Sequence, residues 1–188
     1  MSFDHLFPSP EATHDRPDDA ATTSSWNTTG YQTLDSLWPM PDDAASMLQN
    51  FRTTYEGVFP FVVIDRTLTS EELRDSRPYV WKAVMMVSAL FDASRQVRLA
   101  NKLLAEVAAA TIADGGGNTL DVLQALHLLI GWYHYGLKGP QLTNLLFLAR
   151  SMCVNLAAPG SEVSSARLKY SELDTARAIA ATYYLNTL

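Results

Sequence analysis

Cysteine, basic residues and long apolar runs are all scarce in this sequence. Its 188 residues include one cysteine, Cys153, which excludes a disulfide-stabilised scaffold and any zinc site built from several thiolates. The N-terminus lacks a basic start followed by an apolar stretch, so it does not look like a secretory signal. The most apolar stretch, Leu120–Leu137, contains Asp121, Gln124 and two histidines, which are costly in lipid. We therefore predict a buried helix there and no membrane association.

Positive charge is scarce as well, because 14 Lys and Arg residues face 20 Asp and Glu residues, for a formal net charge of -6. Residues 1–46 concentrate this imbalance, with eight acidic residues and a single basic one, Arg16. The segment also holds five of the nine prolines and is dense in Ser and Thr. This composition is typical of disorder, and we predict a disordered acidic tail over residues 1–42. A chain without clustered Lys and Arg is not expected to hold DNA by itself.

The remaining residues, 43–188, show helical periodicity and no strand pattern. Hydrophobic residues make up 47% of the chain, which is enough for a core. Met47, Phe51 and Tyr55 share one helical face, and Thr69 with Glu72 has the spacing of a capping box. Asp42 and Asp43 stand where an N-terminal cap is expected. We predict an all-α fold of six or seven helices.

The later helices are predicted from their breakers and apolar positions. One helix is expected over residues 78–93, and another from about residue 118 to 137, after the Gly115–Gly117 connector. A helix over 140–155 follows, and the last is expected from 171 to 188. Its apolar face is predicted to contain Leu173, Arg177, Ala180 and Tyr184. We expect this face to lack cover and to need a partner.

Three sequence blocks, taken together, resemble a known family. The first combines Phe59–Ile64 (FPFVVI) with Arg77–Val87 (RPYVWKAVMMV). The second combines Leu120–Leu126 (LDVLQAL) with Trp132–Tyr135 (WYHY), and the third is Arg177-Ala178 followed by Tyr183-Tyr184-Leu185. In this order and spacing they resemble the regulatory middle region of fungal zinc-binuclear-cluster transcription factors. The resemblance covers about residues 47–188.

This resemblance implies an all-helical regulatory domain of a nuclear transcription regulator. In the family, six cysteines upstream of this domain hold two zinc ions and bind DNA. Here Cys153 is the only cysteine, so zinc is expected only in a cluster outside this chain, and no cofactor is expected within it. DNA contact is then expected only through a missing segment or a partner. Family members continue beyond the Tyr-Tyr-Leu block, so the domain is expected to be truncated at its C-terminus.

The function predicted from this resemblance is regulation through protein–protein contacts. The chain is expected to be a regulatory-domain fragment or short form that binds other transcription regulators or associates with itself. A second hypothesis is a small-molecule-sensing domain, since aromatic rings with a few polar tips build such pockets. Its candidate contacts are Trp81, Trp132, Tyr133, His134 and Tyr135. Ordinary core packing explains the same residues.

Catalytic and metal-binding patterns are weak in this sequence. His127 and His134 lie seven residues apart on one predicted helix, but a zinc site needs three or four ligands, so we interpret them as core histidines. Ser88, Ser151 and Cys153 are not placed beside a histidine–acid pair. We therefore predict that the chain is not an enzyme.

The acidic tail carries one further hypothesis. Leu34, Leu37 and Trp38 stand among Asp35, Asp42 and Asp43, and acidic neighbours keep bulky apolar side chains available to a partner's groove. The three residues are a candidate activation segment. A solvated linker is the alternative interpretation of the same composition.

Overall fold

A computed structural model describes residues 37–113, 119–157 and 172–187 of the chain. Within these ranges there are seven α-helices and no β-strand, which confirms the predicted all-α fold. The helices are α1 Pro41–Asn50, α2 Ser70–Ser76, α3 Pro78–Ser88, α4 Ala93–Ala113, α5 Thr119–Tyr133, α6 Gly139–Ala157 and α7 Glu172–Leu185. None of the helices in the described part is both long and apolar enough to span a bilayer. The predicted connector Gly115–Gly117 lies outside the described residues.

The helical body begins earlier than the sequence predicted. Met40, not Asp42 or Asp43, is the N-cap of α1, and both aspartates lie in its first turn, where negative charge favours the helix dipole. A π-helical turn, Phe51–Tyr55, continues α1. Residues 37–42 therefore belong to the body and not to the tail.

The predicted cap of α2 is present, whereas the cap of α4 was not predicted. Thr69 and Glu72 form the predicted capping box, in which the Thr69 hydroxyl accepts from the Glu72 amide and Glu72 accepts from the Thr69 amide. The predicted helix over 78–93 ends at Ser88. A turn follows over residues 89–91, and Asp92 then caps α4, its Oδ1 accepting from the Arg95 amide at 3.0 Å.

Helix α5 is the centre of the body. Every residue from Leu120 to Ile130 is buried, and α5 packs against α3, α4, α6 and α7. A helix that is apolar on all sides is typical of this central position. The prediction of a buried helix in this stretch is confirmed.

A buried polar network joins α5 to α3. Asp121 accepts hydrogen bonds from the backbone amides of Tyr79 (3.0 Å) and Val80 (2.9 Å). These are the second and third residues of α3, so Asp121 caps a helix other than its own. Arg77, directly before α3, donates to Gln124 Oε1. Asp121 and Gln124 are fully buried, so these bonds satisfy groups that water cannot reach.

Helices α3 and α5 run in the same direction. Their N-termini meet at Asp121, and Gln96, just beyond the loop that follows α3, approaches the Trp132 carbonyl near the end of α5 (Nε2–O 3.5 Å). Helix α5 ends at Tyr133, not at Leu137 as predicted, because Tyr133 leaves the helical region (φ -134°) and a 3-10 turn follows over residues 134–136. His134 and Tyr135 therefore lie beyond the helix.

Candidate functional site

Trp81 is a core residue at the N-terminal end of the α3–α5 pair. Its side chain is 3% exposed, and its indole Nε1 donates to Ser70 Oγ at 2.9 Å. The ring of Trp38 packs beside it with a centroid distance of 5.8 Å, and the guanidinium of Arg74 lies 5.9 Å from its ring centroid. Its polar atom and its faces are thus occupied by the protein itself.

The other four candidate aromatic residues lie at the opposite end of α5. Trp132 packs edge-on against Tyr55 of the π-helical turn (centroids 5.1 Å). The hydroxyl of Tyr135 donates to Gln96 Oε1, and Tyr135 also contacts Tyr133 (5.6 Å) and His134 (6.1 Å). Burial raises the pKa of the Tyr133 phenol, with a smaller contribution from Tyr135.

The structure therefore separates the candidate contacts that the sequence grouped together. Trp81 lies two residues past Tyr79, whose amide Asp121 caps, and Trp132 lies eleven residues beyond Asp121 along α5. Along the parallel helices the two tryptophans are thus offset by about nine residues, which at the rise of an α-helix is about 13 Å. A single pocket lined by both Trp81 and Trp132 is not formed by these side chains. The reason is the parallel packing of α3 and α5, which sequence spacing does not show.

Two buried donors at the Trp132 end lack a partner among the described residues. The hydroxyl of Tyr55 and the indole Nε1 of Trp132 are both buried and make no hydrogen bond in the described part, and Tyr55 is 3% exposed. Buried polar groups are almost always satisfied by protein, water or ligand. Each of these two groups is therefore able to donate to an acceptor oxygen of water or of a small uncharged molecule. No sequence pattern pointed to Tyr55, because its contact with Trp132 is tertiary.

His127 holds α7 against α5. Its Nε2 lies 2.8 Å from Thr182 Oγ1, and the Thr182 hydroxyl already donates to the Ala178 carbonyl at 3.0 Å. His127 is therefore the donor in this bond, and Nδ1 has no hydrogen-bond partner in the described part. Burial lowers the pKa of His127 to about 3. The predicted interpretation of His127 as a core histidine fits these contacts.

His134 does not share a helix face with His127, contrary to the expectation from spacing. It is exposed in the 3-10 turn, where Nδ1 lies 3.3 Å from the Gly131 carbonyl. No group of three or more His, Cys, Asp or Glu side chains placed for a metal ion occurs within residues 37–113, 119–157 and 172–187. Cys153, the one cysteine, is buried in α6, so the residues of this chain do not fit a six-cysteine, two-zinc cluster.

The predicted nucleophile candidates lie apart. Ser88 donates to the Met47 carbonyl at 2.8 Å at the end of α3. Cys153 and Ser151 lie on α6, where Cys153 is buried and Ser151 is exposed. The structure does not bring the three side chains into one constellation, and the expectation of a non-enzymatic chain stays a prediction.

Part of the candidate activation segment packs on the helical body. Leu37 and Trp38 are half-buried against the core, and Lys82 Nζ lies 5.7 Å from the Trp38 ring centroid while it pairs with Glu106. This placement differs from the full exposure that the sequence suggested. Leu34 lies outside the described residues. The activation role itself stays a prediction.

Helix α7 buries the side opposite to its predicted apolar face. The buried residues are Ala178, Ala181, Thr182 and Leu185. Three residues of the predicted face, Leu173, Ala180 and Tyr184, are exposed, with Leu173 at 57% and Tyr184 at 47%. Helix α7 is therefore apolar on both sides. The predicted apolar face of α7 is exposed in the described part of the chain, as expected.

Neighbouring aromatic rings extend the exposed side of α7. Tyr184 packs against Phe61 with a centroid distance of 5.3 Å, and Phe61 packs edge-on against the buried Phe59 (5.0 Å). Tyr183, beside Tyr184, is 69% exposed. We name the exposed residues Leu173, Ala176, Ala180, Tyr183, Tyr184 and Thr187 the outer face of α7, and this face is a candidate interaction surface.

Comparison of the chain with protein-family models, with curated proteins and with solved structures finds no match.

Proposed function

We propose that this chain is the regulatory helical module of a transcription regulator, and that it acts in the nucleus through protein–protein contacts and not through DNA contacts of its own. The outer face of α7 carries the proposal. Exposed, contiguous apolar surface of this kind marks a site of interaction. The partners are other transcription regulators or a second copy of the chain.

Contacts among the three sequence blocks support the resemblance behind this proposal. Arg77 of the first block donates to Gln124 of the second, and Asp121 of the second caps the helix of the first. Phe61 of the first block packs against Tyr184 of the third. Residues far apart in sequence thus form one folding unit, as blocks of a single domain are expected to do.

The chemistry of the outer face supports an apolar protein partner. Its own residues are uncharged, and the charged residues beside it are Glu172 and Arg177, of which Arg177 pairs with Asp174 at 3.6 Å. A nucleic acid would need clustered Lys and Arg, and a single arginine, Arg177, beside this face is not a cluster. An apolar helix or groove of another protein matches it better.

The proposal is tested by fusing the full chain to a heterologous DNA-binding domain in a fungal reporter strain. We expect the tethered chain to change reporter output, and we expect Ala180→Glu to abolish the change, because a charge buried in an apolar contact is costly. Ala105→Glu places the same substitution on the exposed side of α4 and should retain the change. Equal output from the tethered chain and the DNA-binding domain alone would contradict the proposal.

A second function, small-molecule sensing, is favoured by the two unpartnered donors at Tyr55 and Trp132. For this second function, the candidate site lies at the C-terminal end of α5 and does not include Trp81. Both donors are uncharged, so they suit a small neutral molecule with a carbonyl or hydroxyl oxygen. Binding would join the π-helical turn to the end of α5.

Thermal denaturation of the full chain with a panel of neutral, oxygen-bearing metabolites tests this second function. A true ligand at 100 times its dissociation constant should stabilise the fold by about 2.7 kcal/mol. Tyr55→Phe should lose that stabilisation, whereas Tyr183→Phe, which removes an exposed hydroxyl, should keep it. If no compound raises Tm and Tyr55→Phe is more stable than the wild type, the buried Tyr55 hydroxyl only destabilises the fold and has no ligand. The sensing function is then wrong.

A further inference from the structure

Two buried polar side chains of α5 each keep one atom without a hydrogen-bond partner in the described part of the chain. Gln124 Nε2, which carries two N–H donors, makes no hydrogen bond there, and neither does His127 Nδ1. Both residues are 0% exposed, so bulk solvent does not reach them. Because buried polar groups are almost always hydrogen-bonded, each of these two atoms is expected to have a partner.

The two atoms are chemically complementary. Arg77 can only donate, so it meets Oε1 of the Gln124 amide, and Nε2 is left as a donor. The Thr182 hydroxyl donates to the Ala178 carbonyl, so the bond between Thr182 and His127 takes its proton from His127 Nε2. Burial lowers the pKa of His127 to about 3. Near neutral pH the ring is therefore uncharged, and Nδ1 is an acceptor.

Gln124 and His127 lie side by side on α5, because residues three apart share a helix face with Cβ atoms about 5–6 Å apart. Neither side chain is free to turn towards the other, since Arg77 holds Gln124 and Thr182 holds His127. The two atoms do not bond to each other directly, so a group that joins them must both accept and donate. A water molecule does both, and it is small enough for a site without exposed surface.

We propose that one internal water molecule is bound between Gln124 and His127, accepting from Gln124 Nε2 and donating to His127 Nδ1. Every donor in the resulting series points the same way. Arg77 donates to Gln124, Gln124 to the water, the water to His127, His127 to Thr182, and Thr182 to the Ala178 carbonyl. Hydrogen bonds aligned in this way polarise and strengthen one another. The series joins the start of α3 to α7 through α5, and it does not depend on the proposed function.

NMR spectroscopy of the wild-type chain tests the site without any substitution. The side-chain amide protons of Gln124 should show cross-peaks to water in both laboratory-frame and rotating-frame Overhauser spectra, with the signs of a long-lived bound molecule and not of proton exchange. The exposed amide of Gln49 should not show this pair of signs. The imidazole nitrogen shifts of His127 should place its proton on Nε2. Absence of these cross-peaks at Gln124, or a proton on Nδ1, would overturn the proposal.

Crystallography locates the bound molecule directly. The wild-type structure should show one water at about 2.7–3.2 Å from both Gln124 Nε2 and His127 Nδ1. His127→Phe removes the acceptor and should lose the water and its cross-peaks, whereas His134→Gln, at an exposed position, should keep both. A protein group in this place, a wild-type site without solvent density, or a water retained in His127→Phe would contradict the proposal. If His127→Phe does not fold, the two wild-type measurements decide alone.

Discussion

Replacing Asp121 with alanine should lower the free energy of unfolding by about 3 kcal/mol. The carboxylate accepts from the amides of Tyr79 and Val80, and no water reaches it, because Asp121 is fully buried. Alanine leaves both amides without an acceptor, and each unsatisfied buried donor costs about 1–3 kcal/mol. For a chain of this length the loss corresponds to a fall in Tm of about 6–12 °C.

Urea unfolding followed by circular dichroism measures this loss. Asp121→Asn keeps one carbonyl oxygen, which can serve one of the two amides, so its loss should be smaller than that of alanine. Asp92→Ala is the matched control, since Asp92 caps α4 from an exposed position and its removal should cost about 1 kcal/mol. An Asp121→Ala variant no less stable than Asp92→Ala would show that the cap on α3 contributes little.

Lowering the pH from 7 to 5 should destabilise the fold by about 2 kcal/mol through His127 alone. The pKa of His127 is about 3 in the folded chain, against 6.5 for an unperturbed imidazole, because burial disfavours its charged form. As the pH falls, the unfolded chain therefore takes up this proton first. The stability is complete above pH 6.5 and declines by about 1.4 kcal/mol per unit between pH 6.5 and pH 3.

Two histidine variants separate this effect from other titrations. His127→Gln keeps a side-chain amide that can donate to Thr182 but does not titrate, so its unfolding free energy should depend less on pH between 7 and 5. His134→Gln removes an exposed imidazole and should retain the wild-type slope. Parallel slopes for the wild type and His127→Gln, measured by urea unfolding at one protein concentration, would refute the assignment to His127.

The sequence predicted those features of the fold that depend only on residues close together in the chain. The capping box of Thr69 and Glu72 is complete within four residues, and the helices follow from apolar spacing that each segment carries itself. Asp121 shows where such reasoning ends. It lies in the first turn of its own helix, but it caps α3, more than forty residues earlier, and only the packing of α3 on α5 brings the two together.

The candidate sites were harder to predict for the same reason. Trp81 and Trp132 looked like one aromatic cluster, but their separation depends on the direction in which α3 and α5 pack. The inward face of α7 could not be chosen from periodicity, because the helix is apolar on both sides and the small residues Ala178 and Ala181 fill the narrow space against its neighbours. Tyr55 was not predicted as a candidate residue, because its contact with Trp132 joins residues that are far apart in the sequence.

The most direct test of the central claim is the reporter output of the tethered Ala180→Glu variant beside that of Ala105→Glu, at matched protein levels. If the outer face of α7 is the regulatory contact, Ala180→Glu loses the output of the wild type and Ala105→Glu keeps it. If both variants match the wild type, the face is not the contact, and regulation through α7 is wrong.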